Sequence, residues 1–437
     1  VGATLAVAGF LVGVGTIGPP AVPGAGSDSG HPNVLVVSVA GLRADALGAY
    51  GGPSGTTPRM DDLAGRGRIF ESPITPSTSP RAAAMSMLTG LYPQRHGVRR
   101  AGQRLPNHVA TLGDLLAAHG YARGAFVSSR ELDGWDSGLA GSFDHYGDVR
   151  VFGDYVDRLA VAGLWTRWTG ANRPRWRSAV STTEALGEWL ARQSGPWFAW
   201  ASLIEPARPA PVPPAEGSRR DTGLDGDLWP PPSWAEGMEE ARPIEDWLRG
   251  YQVSVQAADR ALEVMMRGLA ARGELGRTLI VVVGLHGTSL GEENTWLEPG
   301  QHLSRGVVRV PWIVVGPLTV SGEPVPGPVS LVDVAPTLVG LIGLGGDEAW
   351  QGEDLSRYLI DPASPARDSQ AGPVFSEVPP ERGEAESAFL RGLATDSLPR
   401  RLRGLVGSPS VEGASQLVAL VALTGLVGAG YLYGALG

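Results

Sequence analysis

The chain has 437 residues and no cysteine, which excludes disulfides, thiolate metal ligands and cysteine nucleophiles. Its net charge of −9 argues against nucleic acid as its main partner. All 36 of its Lys/Arg-type residues are arginine, so no lysine can act as an acid, a base or an anion ligand.

The two ends of the chain are hydrophobic. Residues 1–27 carry no charged side chain and are predicted to be an incomplete leader or membrane segment. Residues 415–437 are predicted as a transmembrane helix, because Leu417–Gly437 is 21 uncharged residues long, about the length that crosses a bilayer. A buried core helix is the alternative for this stretch. A polar linker at 379–414 precedes it, so we expect a membrane anchor and a soluble domain outside the cytoplasm, with the orientation left open.

Between these ends, short apolar runs alternate with segments of helical periodicity. The predicted strands are Asn33–Val39, Ala125–Ser128, Trp197–Leu203, Thr278–Val283 and Trp312–Gly316. The predicted helices are Pro58–Gly67, Arg81–Gly90, Val109–Gly120, Thr182–Gln193, Tyr251–Arg272 and Val332–Leu344. This alternation predicts an α/β domain over residues 28–378, built on a doubly wound, mostly parallel sheet flanked by helices.

One long stretch of this domain has no periodicity. Residues 209–246 are rich in Pro, Gly, acidic residues and Trp. We interpret the stretch as a surface loop excursion that caps a site at the carboxyl edge of the sheet, where ligands of such folds bind.

Nine segments occur in order and at consistent spacing across residues 32–378. They are NVLVVSVAGLRADALGAYG (33–51), TTPRMDDLAGRGRIF (56–70), MLTGLYPQRHGV (87–98), ATLGDLLAAHGYARGAFVSS (110–129), FDHYGD (143–148), TLIVVVGLHGTSLGE (278–292), RVPWIVVGP (309–317), SLVDVAPTL (330–338) and PVFSE (373–377). As a set they resemble the sulfatase family of the alkaline-phosphatase superfamily. The resemblance implies a divalent cation held by carboxylates, a nucleophile at a helix N-terminus and cationic groups around a sulfate or phosphate.

The metal-ligand positions of that family are altered in this chain. The resemblance places the first metal-binding Asp at Ala40 and an Asp-His pair at Leu285-His286. Neither Ala40 nor Leu285 can ligate a cation, and one histidine cannot hold Ca²⁺ or Mg²⁺, which take about six or more oxygen ligands. We therefore interpret His286 as a vestigial metal ligand and expect no cofactor, unless Glu292 or Glu293 compensates.

The segment PSTSPRAAAMSMLTG (76–90) matches the nucleophile region of the family in two registers. Aligning Arg81 with the family arginine puts Ser77 at the nucleophile and requires about one extra helical turn. The register without a gap puts Pro80 there, which has no nucleophilic atom. We prefer the first register, but Ser77, Thr78 and Ser79 are also good helix N-cap residues, and capping alone would explain them.

Two further positions bear on anion binding. His302 lies near the substrate-side His or Lys of the family and is a candidate anion contact. Where relatives carry Asp-Pro-His, this chain ends the triplet with Ala207. Arg43 and Asp45 are present as in the family, and we interpret them as a local ion pair.

Three hypotheses follow from the sequence. The first is a membrane-anchored pseudoenzyme that binds a sulfated or phosphorylated ligand through Arg81, His286, His302 and the helix start near Ser77. The second is an active sulfuric- or phosphoric-ester hydrolase, in which Ser77 attacks, Arg81 and His302 steady the anion, and Ca²⁺ or Mg²⁺ binds a carboxylate from elsewhere. The third is a non-catalytic membrane scaffold. The sequence identifies neither the ligand nor a protein partner.

Overall fold

The structure is a computed structural model. It describes residues 31–148, 176–210, 243–292, 295–298, 302–361 and 374–379. For residues 228–229 and 242 it describes only the backbone. The strands in this part of the chain are β1 (Asn33–Ala40), β2 (Arg68–Ile74), β3 (Ala122–Val127), β4 (His145–Gly147), β5 (Trp197–Leu203), β6 (Leu228–Trp229), β7 (Arg242–Pro243), β8 (Thr278–His286), β9 (Trp312–Val315) and β10 (Val325–Ser330).

The helices lie between these strands, as expected for an α/β fold. They are α1 (Pro58–Arg66), α2 (Pro80–Thr89), α3 (Pro93–His96), α4 (Leu112–Ala118), α5 (Gly134–Ser137), α6 (Ala179–Leu190), α7 (Ile244–Ala271), α8 (Arg305–Val308), α9 (Val334–Leu341) and α10 (Ser356–Ile360).

Eight of the strands form one sheet in the order β10-β2-β9-β8-β1-β5-β3-β4. The pairs on either side of β1 are parallel, as are β3–β5, β3–β4 and β10–β2. Strand β9 runs antiparallel to both of its neighbours, so the other seven strands point the same way. The predicted mostly parallel sheet is confirmed.

The sheet carries a hydrophobic layer on each face, which is why its central strands are apolar throughout. Along β1, Val34 and Val36 face one layer, which includes Leu88 of α2. Leu35 and Val37 face the other layer, which includes residues of α1, α6 and α7. Helices therefore cover both faces, and the doubly wound arrangement is confirmed.

The structure contains several short elements that were not predicted, and three differences bear on the sheet and the loop excursion. Helix α7 begins at Ile244 instead of Tyr251, inside the stretch predicted as a loop excursion. Strands β2 and β10 were not predicted, because proline and glycine interrupt their apolar pattern. Strand β10 lies at the sheet edge and pairs with β2 through a register shift between Val325 and Pro328, which accommodates these residues.

The predicted membrane segments are outside the described residues. These are 1–27 and 415–437, and the linker 379–414 is described only at its first residue. Among the helices that the structure describes, none is both long and apolar enough to cross a bilayer.

Candidate functional site

A cavity of about 430 Å³ opens at the carboxyl edge of the sheet. The ends of β1, β5 and β8 supply Ala40, Leu203 and His286 to its wall, and the start of α2 supplies Thr78 and Ser79. Loops complete the wall with Arg100, Glu131, Arg208 and Glu298. Parallel strands that end at one edge place their following residues around one crevice, which is where open α/β sheets bind ligands.

The ends of β1 and β8 lie side by side. A register shift after Val39 brings Ala40 opposite His286. Ala40 lines the cavity, whereas the Leu285 side chain packs into the hydrophobic core. The two positions at which the resemblance implies metal-binding carboxylates therefore carry an apolar wall residue and a core residue.

His286 presents a hydrogen-bond acceptor to this cavity. Its imidazole is only 1% exposed, and Nδ1 lies 2.7 Å from the carbonyl oxygen of Gly287. Because a carbonyl oxygen can only accept, Nδ1 carries the proton in this arrangement. The buried Nε2 atom has no protein partner. The neutral tautomer therefore leaves an unshared electron pair on Nε2.

Burial keeps this imidazole uncharged. Loss of hydration lowers the pKa of His286 to about 4, with a further lowering from the charge of Arg208, while the bond to Gly287 acts in the opposite direction. At neutral pH the side chain is therefore a neutral acceptor.

The residues present do not fit a divalent cation. The described part of the chain contains no group of three His, Asp or Glu residues arranged to hold a metal ion. Glu292, one of the two candidates for compensation, instead accepts a hydrogen bond of 2.7 Å from Arg43 and another of 2.6 Å from the Leu290 amide. Glu293 lies outside the described residues. The residues that the structure describes at this edge therefore do not assemble the oxygen ligands that Ca²⁺ or Mg²⁺ requires.

The predicted ion pair between Arg43 and Asp45 is confirmed. Two parallel hydrogen bonds of 2.8 Å join the guanidinium to the carboxylate. Arg43 also donates to the carbonyl oxygen of Thr288 at 3.0 Å, which ties the loop after β1 to the loop after β8. Burial lowers the pKa of Arg43, but the bonds and charges of Asp45 and Glu292 more than offset this and raise it.

Helix α2 begins with a cap formed by its own serines. Ser79 is the N-cap residue, and its hydroxyl accepts a hydrogen bond from the Ala82 amide at 3.4 Å. Ser77 Oγ accepts from the Ser79 amide at 3.2 Å, and Ser77 does not line the cavity. The Thr78 side chain does line it, and its buried hydroxyl has no protein partner. The N-cap interpretation is confirmed for Ser79, and a nucleophilic role for Ser77 stays a prediction.

Arg81 is held by backbone carbonyl groups. Its guanidinium donates to the carbonyl oxygens of Glu131 at 2.6 Å, Gln103 at 2.8 Å and Asp136 at 3.1 Å. These bonds fix the loops beside the start of α2. The proposed role of Arg81 as an anion contact stays a prediction.

A second cavity of about 420 Å³ adjoins the first. The two cavities share Ser129, Glu131, Ile204 and Arg208 as wall residues. We call the cavity that contains His286 the inner cavity and the one that contains Arg81 and Trp176 the outer cavity. Arg208 lies between them, 3.5 Å from the Glu131 carboxylate and over the ring of Trp176. The two cavities form one cleft that extends beyond the sheet edge.

His302 lines neither of these two cavities. Its Nε2 atom lies 3.0 Å from the Ser289 hydroxyl, and its Nδ1 atom accepts from the Ser304 amide at 3.3 Å. Both ring nitrogens thus hold the loop that follows β8. Its predicted contact with an anion stays a prediction.

The sequence analysis missed two cationic wall residues, Arg100 and Arg208. Arg208 directly follows Ala207, the position at which the resemblance implies a histidine. A cationic residue next to that position could have been predicted to lie at the site. Ala207 lies close to Gly41 in the loop after β1: a Cβ atom at position 41 would be 2.4 Å from the Ala207 nitrogen. The φ angle of Gly41, +77°, also favours glycine. Glycine at position 41 therefore lets these two loops pack together at the cavity.

Glu377 joins three pieces of the cavity wall. Its backbone accepts from the Thr78 amide at 3.2 Å and donates to the Pro76 carbonyl at 3.0 Å. Its carboxylate accepts two bonds from Arg99, at 2.9 and 2.7 Å. Arg99 precedes the wall residue Arg100, and Pro379 of the same segment also lines the inner cavity. The segment PVFSE, known only through the resemblance, thus has a structural role at the site.

Comparison with known proteins identifies the family. The family model described as Sulfatase matches residues 32–344. An ulvan-active sulfatase of Formosa agariphila is 25% identical over 386 residues, covering 83% of this chain and 71% of that protein. Arylsulfatase A of Bos taurus is 39% identical over 102 residues, which cover 21% of this chain and 20% of that protein. The chain belongs to the sulfatase family.

Solved structures show the same fold. The phosphonate monoester hydrolase of Agrobacterium radiobacter has a TM-score of 0.60 at 22% identity, covering 75% of this chain and 77% of that one. A structure in complex with its substrate D-glucosamine-2-N,6-O-disulfate has a TM-score of 0.56 at 17% identity, covering 76% and 80%. The predicted sulfatase-like fold of the described domain is confirmed.

The lowered pKa of His286 predicts a loss of stability in acid. The unfolded chain, with a histidine pKa of about 6.5, takes up a proton before the folded chain does. Stability is therefore complete above that value and is lost as the pH falls towards 4. We expect the wild type to lose about 2 kcal/mol more than His286→Gln between about pH 7.5 and about pH 5, measured by urea unfolding. Equal losses in the two proteins would show that His286 is not buried as a neutral group.

Proposed function

We propose that this sulfatase-family protein binds a sulfuric or phosphoric ester in its cleft without a metal ion and does not hydrolyse it. The observation that supports this most directly is the pair Ala40 and His286 at the adjoining ends of β1 and β8. Family members place carboxylates around this point, and the chain has Ala40 and the core residue Leu285 there instead. Among the described residues, no oxygen cage is available for a cation that would activate a nucleophile and neutralise an ester.

The remaining wall is suited to an anion. Thr78 lies at the start of α2, where the helix dipole favours negative charge, and its unpartnered hydroxyl can donate to an ester oxygen. Arg100 and Arg208 add positive charge to the same wall. The Glu131 carboxylate, 3.5 Å from Arg208, and the Glu298 side chain of the same wall offset this positive charge, so hydrogen bonding has to contribute to anion binding. The net effect is a moderate anion site that discriminates by hydrogen bonding as well as by charge.

The size of the cleft points to an organic ester instead of a free inorganic anion. The inner cavity alone, at about 430 Å³, falls within the range of small-molecule sites. The outer cavity offers the ring of Trp176, which is 37% exposed. We therefore propose that the ester group binds in the inner cavity and that its organic part extends to Trp176.

Anion binding can be measured by calorimetry on the full chain with inorganic sulfate and with 4-nitrophenyl sulfate. We expect binding that persists in EDTA, and a loss of about 5-fold or more in affinity in Thr78→Val, because a hydroxyl donor to the anion is removed. Thr89→Val is the matched control, since Thr89 is a buried hydroxyl of the same helix that bonds within the helix, to the Met85 carbonyl at 2.7 Å.

The same preparation separates the proposal from the hydrolase alternative. We expect no release of 4-nitrophenol from the sulfate or the corresponding phosphate ester. Metal-dependent turnover that disappears in Ser77→Ala would establish a hydrolase. Absence of anion binding in the wild type would contradict the proposed function.

The outer cavity gives a separate prediction. Trp176→Ala should weaken binding of 4-nitrophenyl sulfate by about 5- to 10-fold, because a ring contact is lost, and leave inorganic sulfate unchanged. Trp135→Ala is the control, since Trp135 is 57% exposed, also lies under an arginine, Arg104, and lines neither of these cavities. If Trp176→Ala changed the affinities for 4-nitrophenyl sulfate and inorganic sulfate equally, the organic group would not contact Trp176.

We also propose that residues 415–437 anchor the protein in a membrane, with the sulfatase-like domain outside the cytoplasm. The 21 uncharged residues of Leu417–Gly437 support this. After alkaline carbonate extraction of membranes, the full chain and a chain of residues 28–437 should stay in the pellet, and a chain of residues 28–414 should be released. Release of the full chain would refute the anchor.

A further inference from the structure

Two residues that line the inner cavity carry buried polar atoms that the described part of the protein leaves without partners. One is Nε2 of His286 and the other is Oγ1 of Thr78, and both side chains are at least nine-tenths buried. Both residues line the cavity. Buried polar atoms are normally hydrogen-bonded, so each of these atoms defines a requirement on the ligand.

The two atoms differ in the hydrogen-bonding group that each requires from a ligand. His286 donates a hydrogen bond of 2.7 Å from Nδ1–H to the Gly287 carbonyl oxygen. In this neutral tautomer Nε2 can only accept a hydrogen bond. The hydroxyl of Thr78 can donate one. A complementary ligand therefore offers an O–H group towards His286 and an acceptor oxygen towards Thr78.

Sulfate and phosphate groups have nearly the same shape but differ in protons. A sulfate group at neutral pH carries only acceptor oxygens. A phosphate monoester has its second pKa near about 6 and retains an O–H group in part of the population. Against the unshared pair of Nε2, sulfate oxygens are repelled, whereas a phosphoryl O–H group donates.

We infer that the inner cavity, if it binds anions as proposed above, selects a protonated phosphoryl group, as in hydrogen phosphate or a phosphate monoester, over a sulfate group. The inference rests on the proposed function and specifies its ligand. It also reverses the preference that the family name implies.

Of the other charged groups of the wall, the two carboxylates favour this selection and the two arginines oppose it. Glu131 and Glu298 line the same cavity and, when ionised, accept hydrogen bonds without donating any. Arg100 and Arg208 supply positive charge. On charge alone these arginines favour the sulfate dianion over the dihydrogen phosphate monoanion, so a preference for phosphate would report the hydrogen bond to His286.

The test compares inorganic phosphate with inorganic sulfate on the full chain, by calorimetry at about pH 6. Phosphate is largely protonated there, and His286 remains uncharged because its pKa is about 4. We expect phosphate to bind about 10-fold or more tightly than sulfate, because a site built to receive a hydrogen bond rejects an analogue that lacks the donor.

Two variants test which side chain causes the preference for phosphate over sulfate. In His286→Phe, which keeps a ring but removes the acceptor, phosphate affinity should fall to that of sulfate. In Thr78→Val, both affinities should fall by a similar factor and the ratio should remain. If His286→Phe does not fold, the ratio measured on the wild type decides the matter alone.

The outcomes distinguish this inference from the proposed function. Sulfate that binds the wild type as tightly as phosphate, or a ratio unchanged in folded His286→Phe, overturns the selection while anion binding stands. A wild type that binds neither anion overturns both.

Discussion

The pairing of β1 with β8 is the constraint on which the site depends. The register shift after Val39 places Ala40 beside His286, at the edge where parallel strands direct their ends towards one crevice. In a sulfatase fold, the side chains at this point decide whether the crevice can hold a divalent cation. Here one is a methyl group and the other a neutral imidazole, and Leu285 contributes to the core instead. The sulfatase fold is therefore combined with two positions, Ala40 and Leu285, that carry no carboxylate.

Arginine side chains cross-link the loops around the site. Arg43 links the loops after β1 and β8 through Asp45, Glu292 and the Thr288 carbonyl. Arg81 does the same on the opposite side of the cleft through three carbonyl groups. Guanidinium groups, with several donors in a fixed plane, are suited to such cross-links. Arginines therefore contribute to holding these loops together.

Much of the fold was predictable because its signals are local. Apolar β-branched runs identified β1, β5 and β8, and the ordered family segments identified the sheet type. Strands β2 and β10 were missed because their proline and glycine residues are tolerated only in the context of their partners. At the site, the resemblance predicted that Ala40 and Leu285 stand where the family has carboxylates. It could not show that Thr78 and not Ser77 lines the cavity, because that depends on the serine cap of α2. The wall arginines come from loops, whose positions no periodicity predicts.

The most direct test of the central claim is the metal content of the purified full chain. The protein would be dialysed against Ca²⁺, Mg²⁺ and Mn²⁺, freed of loosely bound ions, and analysed by mass spectrometry for metal per chain. With Ala40 and Leu285 at the ligand positions, the account predicts that no ion is retained in stoichiometric amount. About one tightly held ion per chain would contradict it, and would mean that residues outside the described parts of the chain complete a functional metal site.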